Sequence, residues 1–269
     1  MDVKEDYSNY PENPLGGRTK LVYDWIPANS TTLLDGGCAW GYGTRFFKKK
    51  CKNTYGIDPN EEFITIARKR YPNINFIVSG LEDTQFESNF FDVIILNDVF
   101  EHVKDEIKSL NEMYRILKPG GTFMMTTPHK GLFSFMDPEN YKFHLMKNLP
   151  RFYKFLYRIK KVQQPKKFKV GYEEKHRHYA IKDFIRLLDS SKFKNHYIIT
   201  KIFRSGLFIG VFTNNLNFIL IFFLGQKSSS KIIKPLTALS KSDYWIPYNR
   251  FSYHIALKIV KKRARTTGQ

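Results

Sequence analysis

Residues 33–43 read LLDGGCAWGYG, and this stretch says more about the architecture of the chain than any other. A short apolar run ends at Asp35, and small residues then recur at Gly36, Gly37, Ala39, Gly41 and Gly43. Residues without a large side chain let the backbone of a tight turn come close to a bound ligand. The pattern therefore predicts a strand that leads into a ligand-binding turn, a feature that dinucleotide and nucleotide sites share.

Four further apolar runs follow, at residues 53–57, 74–78, 91–96 and 122–126. The first of these is followed by Asp58, at the tip of the second strand of a βαβ unit, where a carboxylate can accept hydrogen bonds from both ribose hydroxyls of an adenosine. Strand and helix patterns alternate five times before residue 127. The alternation predicts an α/β fold with a parallel sheet, helices on both faces, and a ligand at the carboxyl ends of the strands.

Five motifs occur in a characteristic order and spacing: Asp35-x-Gly37-Cys38-Ala39-x-Gly41, Gly56-Ile57-Asp58, Phe91-Asp92-Val93-Ile94, Glu101-His102-Val103 and Leu117-Lys118-Pro119-Gly120-Gly121. Over about residues 18–128 the chain resembles a class I S-adenosylmethionine-dependent methyltransferase of the ubiquinone/menaquinone-methyltransferase-like kind. The resemblance implies a Rossmann-like seven-stranded methyltransferase sheet with helices on both faces. It also implies S-adenosylmethionine as the cofactor.

The resemblance assigns the first group of cofactor contacts to the glycine-rich turn and its neighbours. The residues that it implies for the methionine and ribose pocket are Asp35, Gly37, Ala39 and Gly41. Ala39 stands where the family has a third glycine. Asp58 is implied to hold the ribose, and Arg18, just before the first helix, to pair with the cofactor carboxylate.

The second group of implied contacts surrounds adenine and the sulfonium. In the family an acidic residue often follows the third strand and reaches the adenine amino group, whereas this chain has Gly80 there. Adenine would then rest on backbone groups of Gly80 and Leu81, with Glu82 as the candidate side-chain contact. Asn97 and Asp98 are implied to lie beside the sulfonium.

Histidines are the candidates for a catalytic base. His129 directly follows the fifth strand, at the carboxyl edge where an acceptor must lie. His102 is the second candidate, although a packing or capping role is favoured for it because it opens a helix. His144, His176 and His178 are candidates for lining an acceptor pocket. No metal site is predicted, since the pair at 176 and 178 lacks further ligands at a recognisable spacing.

The residues after the fourth strand limit the chemistry. Methyltransferases of this superfamily that act on amino groups of nucleic acids usually carry Asn/Asp-Pro-Pro-aromatic at this point. Residues 97–100 read NDVF, without proline. This argues against methylation of adenine or cytosine amino groups and leaves O- or C-methylation open.

The composition indicates an anionic partner in a reducing compartment. The formal net charge of +19 and the pI of about 9.7 favour nucleic acid, phospholipid headgroups or a phosphorylated substrate. The only two cysteines, Cys38 and Cys51, do not suggest a disulfide framework. Residues 1–14 are polar and acidic and lack the apolar core of a secretion signal. A cytoplasmic location is therefore expected.

The sequence predicts five segments. The S-adenosylmethionine-binding core occupies residues 18–128, and its completion occupies 176–204. A basic, aromatic insertion at 129–175 is predicted to cap the acceptor or meet a membrane. An apolar, membrane-associating hairpin is predicted at 205–240, and a closing strand with a basic tail at 241–269. The hairpin thus lies between the last two strands of the sheet.

Two stretches favour membrane contact. Residues 205–226 carry no charge, but a single crossing would leave the closing strand on the wrong side of a bilayer. Asn214, Asn215 and Asn217 interrupt the apolar run, so the expectation is a re-entrant or surface-lying hairpin that turns near them. An ordinary buried helical pair is the alternative.

The sequence of residues 149–161 predicts a basic amphipathic helix with aromatic side chains. Such a helix is typical of membrane surfaces, although it would also suit a solvated lid face or RNA binding.

The functional expectation is a methyltransferase, most directly for O-methyl transfer, attached peripherally to the cytoplasmic face of a membrane. Its acceptor would be a lipid or a lipid-linked group such as a glycan hydroxyl or a quinone precursor. The alternatives are methylation of a soluble small molecule or RNA, with nucleic acid the less favoured partner, and a non-catalytic membrane adaptor with a weakened cofactor site. The departures at Ala39 and Gly80 motivate the last of these.

Overall fold

The computed structural model describes residues 15–132, 134, 147–152, 177–205, 208–243 and 245–263. The chain divides into two compact units. The first comprises residues 1–127, 181–202 and 256–269, and the second comprises residues 128–180 and 203–255. The closing strand predicted within 241–269 forms at His254–Lys261. The predicted His144 and His176, and most of the helix predicted at 149–161, lie outside the described residues.

The elements before residue 128 alternate between strand and helix. In chain order they are α1 (Gly17–Trp25), β1 (Thr32–Gly36), α2 (Thr44–Phe47), β2 (Asn53–Asp58), α3 (Glu61–Arg70), β3 (Asn75–Val78), β4 (Phe91–Asn97), a 3₁₀ turn (Phe100–His102), α4 (Glu106–Ile116) and β5 (Leu117–Pro128). The remaining elements are α5 (Ile181–Asp189), β6 (Tyr197–Ser205), α6 (Phe208–Asp243), a second 3₁₀ turn (Asn249–Phe251) and β7 (His254–Lys261).

One seven-stranded sheet organises the fold, in the order β3-β2-β1-β4-β5-β7-β6. The first five strands pair in parallel, β1 with both β2 and β4, β2 with β3, and β4 with β5. The carboxyl ends of these five strands therefore lie at one edge. Because the chain order reverses between β1 and β4, a crevice for a ligand forms there. The seven-stranded α/β sheet expected from the resemblance is confirmed.

The helices α3 and α4 each begin at a residue whose side chain caps the first turn. The side chain of Asn60 accepts a hydrogen bond from the backbone N–H of Phe63 at 3.2 Å, and that of Asp105 accepts one from Lys108 at 2.8 Å. These contacts satisfy N–H groups that have no partner inside the helices α3 and α4. The buried face of α4 carries Leu110, Met113 and Ile116, whereas Ile107 and Tyr114 are partly exposed.

One strand starts earlier than its apolar run indicates. The helix α4 ends at Ile116, and β5 begins at Leu117 rather than at Thr122. Its early start follows from pairing between Leu117 and Phe91, with an irregular register before Val93. The helix α2 is a single turn; Gly43 offers it no capping side chain, and its first turn has no acidic residue.

The hairpin forms, but its predicted turn is wrong. The helix α6 breaks at Gly225, where φ is 78° and ψ is 166°, so that residues 208–224 and 226–243 form two arms. The Ser229 hydroxyl lies 2.6 Å from the Asn217 side-chain oxygen, although twelve residues along one straight helix span about 18 Å. The chain therefore reverses at the glycine, which tolerates positive φ, and not at the asparagines. Among the described residues, no helix is both long enough and apolar enough to cross a membrane.

Candidate cofactor site

In the turn after β1, the backbone passes very close to neighbouring side chains. Gly37 has a φ of +71°, and a side chain there would come within 2.4 Å of Val99. Gly41 has a φ of +82°, and a side chain there would come within 2.8 Å of the Phe76 ring. Ala39 adopts a φ of 45°, so alanine tolerates the left-handed conformation at the position of the third glycine. The turn keeps its shape despite this departure from the family pattern.

Asp58 fixes this turn to the end of β2. Its carboxylate accepts a hydrogen bond from the Ala39 N–H at 3.0 Å and, on the other oxygen, from the Asn60 N–H at 2.9 Å. Burial raises the pKa of Asp58, and these two hydrogen bonds oppose the rise. Each oxygen retains a lone pair, which is what a carboxylate needs to accept two adjacent hydroxyls.

Asp35 is the second buried carboxylate of the turn. It accepts a hydrogen bond from the Thr44 hydroxyl at 2.6 Å. Burial raises its pKa to about 7; the Thr44 bond lowers it, and the nearby Asp58 charge raises it further. Thr44 was not predicted as part of this site, although a threonine that opens a helix after a glycine-rich turn could have indicated it.

Glu82 brings a carboxylate close to Gly80, which stands where the family often has an acid. One of its carboxylate oxygens lies 3.1 Å from the point where a side chain at Gly80 would begin. The Leu81 side chain is buried, and it approaches to within 2.8 Å of the corresponding point on Gly36. A carboxylate thus stands beside the end of β3 even though the residue after that strand is not acidic.

Asn97 and Asp98 lie at the end of β4, beside the start of α1. The Asn97 side-chain oxygen accepts a hydrogen bond from the Thr126 hydroxyl at 3.0 Å. Asp98 has a φ of 56°, and its carboxylate forms an ion pair with Arg18 at 2.5 Å. In this structure Asp98 is therefore an ionic partner of Arg18, the residue that the resemblance had assigned to the cofactor carboxylate.

Comparison with known proteins identifies this arrangement. The sequence pattern of the methyltransferase domain family matches residues 34–125. A Mycolicibacterium smegmatis protein named "Probable S-adenosylmethionine-dependent methyltransferase" is 30% identical over 125 residues, which are 46% of this chain and 49% of that protein. The chain carries a class I S-adenosylmethionine-dependent methyltransferase domain. S-adenosylmethionine is the cofactor of this domain, as the resemblance predicted.

A second relative and a solved structure extend the comparison. The mitochondrial ubiquinone biosynthesis O-methyltransferase of Rattus norvegicus is 31% identical over 118 residues, 41% of this chain and 34% of that protein. The matches thus span about half or less of the length of these relatives. The crystal structure of the YcgJ protein of Bacillus subtilis shares the fold, with a TM-score of 0.56 and 15% identity over 92% of this chain and 98% of its own.

The residues of the methyltransferase domain fit this cofactor. The turn at Gly37 and Gly41 leaves no room for side chains, and Asp58 keeps one acceptor position on each oxygen. Asp58 would hold the ribose hydroxyls, and Glu82 would approach the adenine amino group. S-adenosylmethionine carries a sulfonium and an ammonium group. The Asp98 carboxylate would supply complementary charge, and a bound cation would favour the charged form of Asp35.

His102 and His129 differ in their surroundings. His102 ends the first 3₁₀ turn, with an exposed side chain and a backbone N–H that donates to the Val99 carbonyl at 2.9 Å. His129 belongs to the second unit and is only 4% exposed. A catalytic role for either residue stays a prediction, and the exposed ring of His102 offers no support for one.

The protonation of His129 follows from its contacts. Its Nδ1 lies 3.1 Å from the Ser252 carbonyl oxygen, which can only accept a hydrogen bond. Nδ1 therefore carries the proton, and Nε2 carries the lone pair. Burial lowers the pKa of His129; the Ser252 contact raises it, while Arg204 and His178 lower it. The ring is thus a neutral base at pH 7.

Backbone pairing holds this ring in the second unit. The His129 N–H donates to the Tyr253 carbonyl at 2.6 Å, and the Leu132 N–H donates to the Arg250 carbonyl at 2.9 Å. On the other side, the Lys130 N–H donates to the Tyr179 carbonyl at 2.9 Å. His178 lies beside this segment, with its ring centre 6.3 Å from that of Tyr253. In the described part of the chain, no three acidic, histidine or cysteine side chains form a metal-binding group.

Proposed function

We propose that this chain transfers the methyl group of S-adenosylmethionine to an oxygen of an acceptor that is held in, or linked to, a membrane lipid. The methyltransferase domain supports the reaction class. The helical hairpin of the second unit supports the lipid, and its distribution of polar and apolar side chains is the observation that carries the proposal.

Among the described side chains of the hairpin, polar ones lie where the arms meet and several large apolar ones are exposed. Where its arms meet, the Ser229 hydroxyl donates to Asn217, and Thr213 lies one turn before Asn217 on the same face. Ser229 and Thr213 are buried, together with the apolar Ile233. The exposed large apolar side chains of the two arms are Phe212, Ile219, Phe223, Leu224, Ile232 and Leu239.

This distribution suits lipid better than water. In water, apolar side chains of a helical pair are stabilised by facing one another, whereas helices in lipid use small and polar residues at their contacts. Phe223 is 73% exposed, close to the turn at Gly225. Because β6 and β7 belong to one sheet, the hairpin leaves that sheet and returns to it. Shallow insertion of the hairpin, and so peripheral attachment, is the form of membrane contact that we propose.

The charge of the C-terminal part complements an anionic surface. After Asp189 the chain has fourteen lysines and arginines and one acidic residue, Asp243. Basic groups near an anionic bilayer contribute about 1 kcal/mol each. Basic charge alone would equally suit RNA, so the apolar exterior of the hairpin is what favours a lipid acceptor over the soluble or RNA alternative.

In the proposed reaction His129 acts as the base. The sulfonium of the cofactor supplies an activated methyl group, so the chain mainly positions the acceptor and removes its proton. The neutral Nε2 of His129 accepts the hydroxyl proton, while the Ser252 carbonyl keeps hold of the proton on Nδ1. Transfer to oxygen is favoured because a hydroxyl needs such a base, and because relatives such as the rat enzyme are named for O-methylation.

Radiolabelled transfer tests the activity. The full chain is incubated with S-adenosylmethionine that carries a tritiated methyl group and with a bacterial membrane extract. Label should appear in the lipid-soluble fraction, and His129→Ala should lower it about 100-fold at unchanged cofactor affinity. Label in RNA or only in water-soluble products would overturn the lipid proposal. Cofactor binding without any transfer would favour the adaptor.

Vesicle sedimentation tests the membrane contact separately. The wild-type chain should sediment with phosphatidylglycerol vesicles, and Phe223→Asp should weaken this binding. Ile198→Asp is the matched control, because it changes the net charge equally at an exposed apolar residue of β6 in the first unit. Equal loss in both variants would mean that charge, and not the hairpin, carries the binding.

A further inference from the structure

Thr126 is a buried hydroxyl at the centre of the cofactor site, and the resemblance gives it no role. It lies on β5 in the first unit and is 1% exposed. Its sheet neighbour on β4 is Asn97. Its hydroxyl lies 3.0 Å from the Asn97 side-chain oxygen and 3.1 Å from a carboxylate oxygen of Asp98.

The backbone of Asp98 also depends on Thr126. The Asp98 N–H donates both to the Thr126 carbonyl, at 3.0 Å, and to its hydroxyl oxygen, at 3.1 Å. Asp98 has a φ of 56°, in the left-handed region that residues with a side chain adopt only when their surroundings compensate. Thr126 therefore contacts a residue that holds one of the less common backbone conformations of the chain.

The network continues from these residues to the first helix. The second carboxylate oxygen of Asp98 forms the ion pair with Arg18 at 2.5 Å. The Asn97 amide nitrogen lies 3.5 Å from the Thr19 hydroxyl. Both contacts join the carboxyl end of β4 to the first turn of α1, and Thr126 is the buried residue from which they extend.

We propose that Thr126 is a positioning residue of the cofactor site. Its hydroxyl orients Asn97 and the Asp98 carboxylate and, through them, the start of α1. The inference rests on the cofactor site of the proposed methyltransferase, but not on the nature of the acceptor. A valine at 126 would keep the shape of the side chain and remove the hydroxyl. That hydroxyl has a single proton to donate between the Asn97 and Asp98 oxygens, and its oxygen accepts from the Asp98 N–H.

Calorimetric titration with S-adenosylmethionine tests this role. We expect Thr126→Val to raise the Kd at least about tenfold, and Thr126→Ser, which keeps the hydroxyl, to stay within about twofold of wild type. Thr122→Val is the matched control. Thr122 is also a buried threonine of β5, nearer the start of that strand, and its substitution should keep the Kd within about twofold of wild type. Thr126→Ala removes the same hydroxyl if the valine variant does not fold.

A second measurement needs no cofactor. Hydrogen exchange of the Asp98 amide should accelerate in Thr126→Val and stay unchanged in Thr122→Val. Wild-type affinity in both Thr126→Val and Thr126→Ala would overturn the inference, as would equal weakening by Thr126→Ser, since shape would then matter and not the hydroxyl. A wild-type chain that does not bind the cofactor would instead refute the cofactor site itself.

Discussion

At the scale of single residues, Glu82 shows how this chain departs from its family without losing an acidic group. Its carboxylate lies beside Gly80, where the family often has an acid. Glu82→Ala should therefore raise the Kd of S-adenosylmethionine and of S-adenosylhomocysteine about tenfold alike, because both contain adenine. Glu87→Ala, at an exposed neighbouring acid, is the control in the same titration. Unchanged affinity in Glu82→Ala would leave adenine recognition to the backbone.

Asp35 makes the stability of the cofactor-free protein depend on pH. Its pKa of about 7, raised mainly by burial from 3.8, means that the folded chain holds a proton that the unfolded chain has lost. The free energy of unfolding should therefore fall as pH rises from about 4 to 7, by an amount on the order of 2–4 kcal/mol from this group. Asp35→Asn still accepts the Thr44 bond but carries no charge.

Urea unfolding at several pH values measures this dependence. Asp35→Asn should flatten the fall in stability between pH 5 and 8, whereas Asp24→Asn, at an exposed acid, should leave it unchanged. Parallel curves for Asp35→Asn and wild type would show that the Asp35 carboxylate is charged throughout this range.

At the scale of elements, Lys261 attaches the closing strand to α4. It is 6% exposed, and its ammonium group donates to the carbonyls of Tyr114, at 2.8 Å, and Leu117, at 2.7 Å. A cation at the C-terminal end of a helix also complements the helix dipole. Lys261→Met should lower the free energy of unfolding by about 2–3 kcal/mol, because two buried carbonyls lose their donor.

The neighbouring lysine provides the control for this element. Lys262 contacts the Asn195 carbonyl at 3.1 Å in an exposed position. Lys262→Met should therefore change the free energy of unfolding by no more than about 0.5 kcal/mol. Similar losses from both substitutions in urea unfolding would assign the effect to net charge and not to the buried ammonium.

The elements also show what the sequence could reveal. The turn after β1 and the acid that ends β2 could be predicted from the sequence, because their function requires particular residues at adjacent positions. Thr126 was not, because its role arises from contacts with β4, which lies about thirty residues earlier in the sequence. The hairpin turn was misplaced because Asn217 is satisfied across the seam by Ser229, so it does not break its helix.

At the scale of the whole molecule, the two proposed sources of membrane affinity respond differently to salt. Fourteen basic residues after Asp189 act through charge, which salt screens over about 3 Å at 1 M. The exposed side chains of the hairpin act through burial of apolar surface, worth about 25 cal/mol per Å² and insensitive to screening. Sedimentation with phosphatidylglycerol vesicles should therefore weaken as salt is raised and then level off above zero.

The level that remains at high salt is the decisive quantity. It should persist with uncharged phosphatidylcholine vesicles and disappear in Phe223→Asp, because that substitution places a charge on the most exposed of the apolar side chains described for the hairpin. Contact with RNA through the same basic residues would instead decline steeply with salt and leave no plateau. Complete release of the wild-type chain from vesicles at 1 M salt would therefore mean that the hairpin does not insert, and would leave the lipid acceptor without its main support.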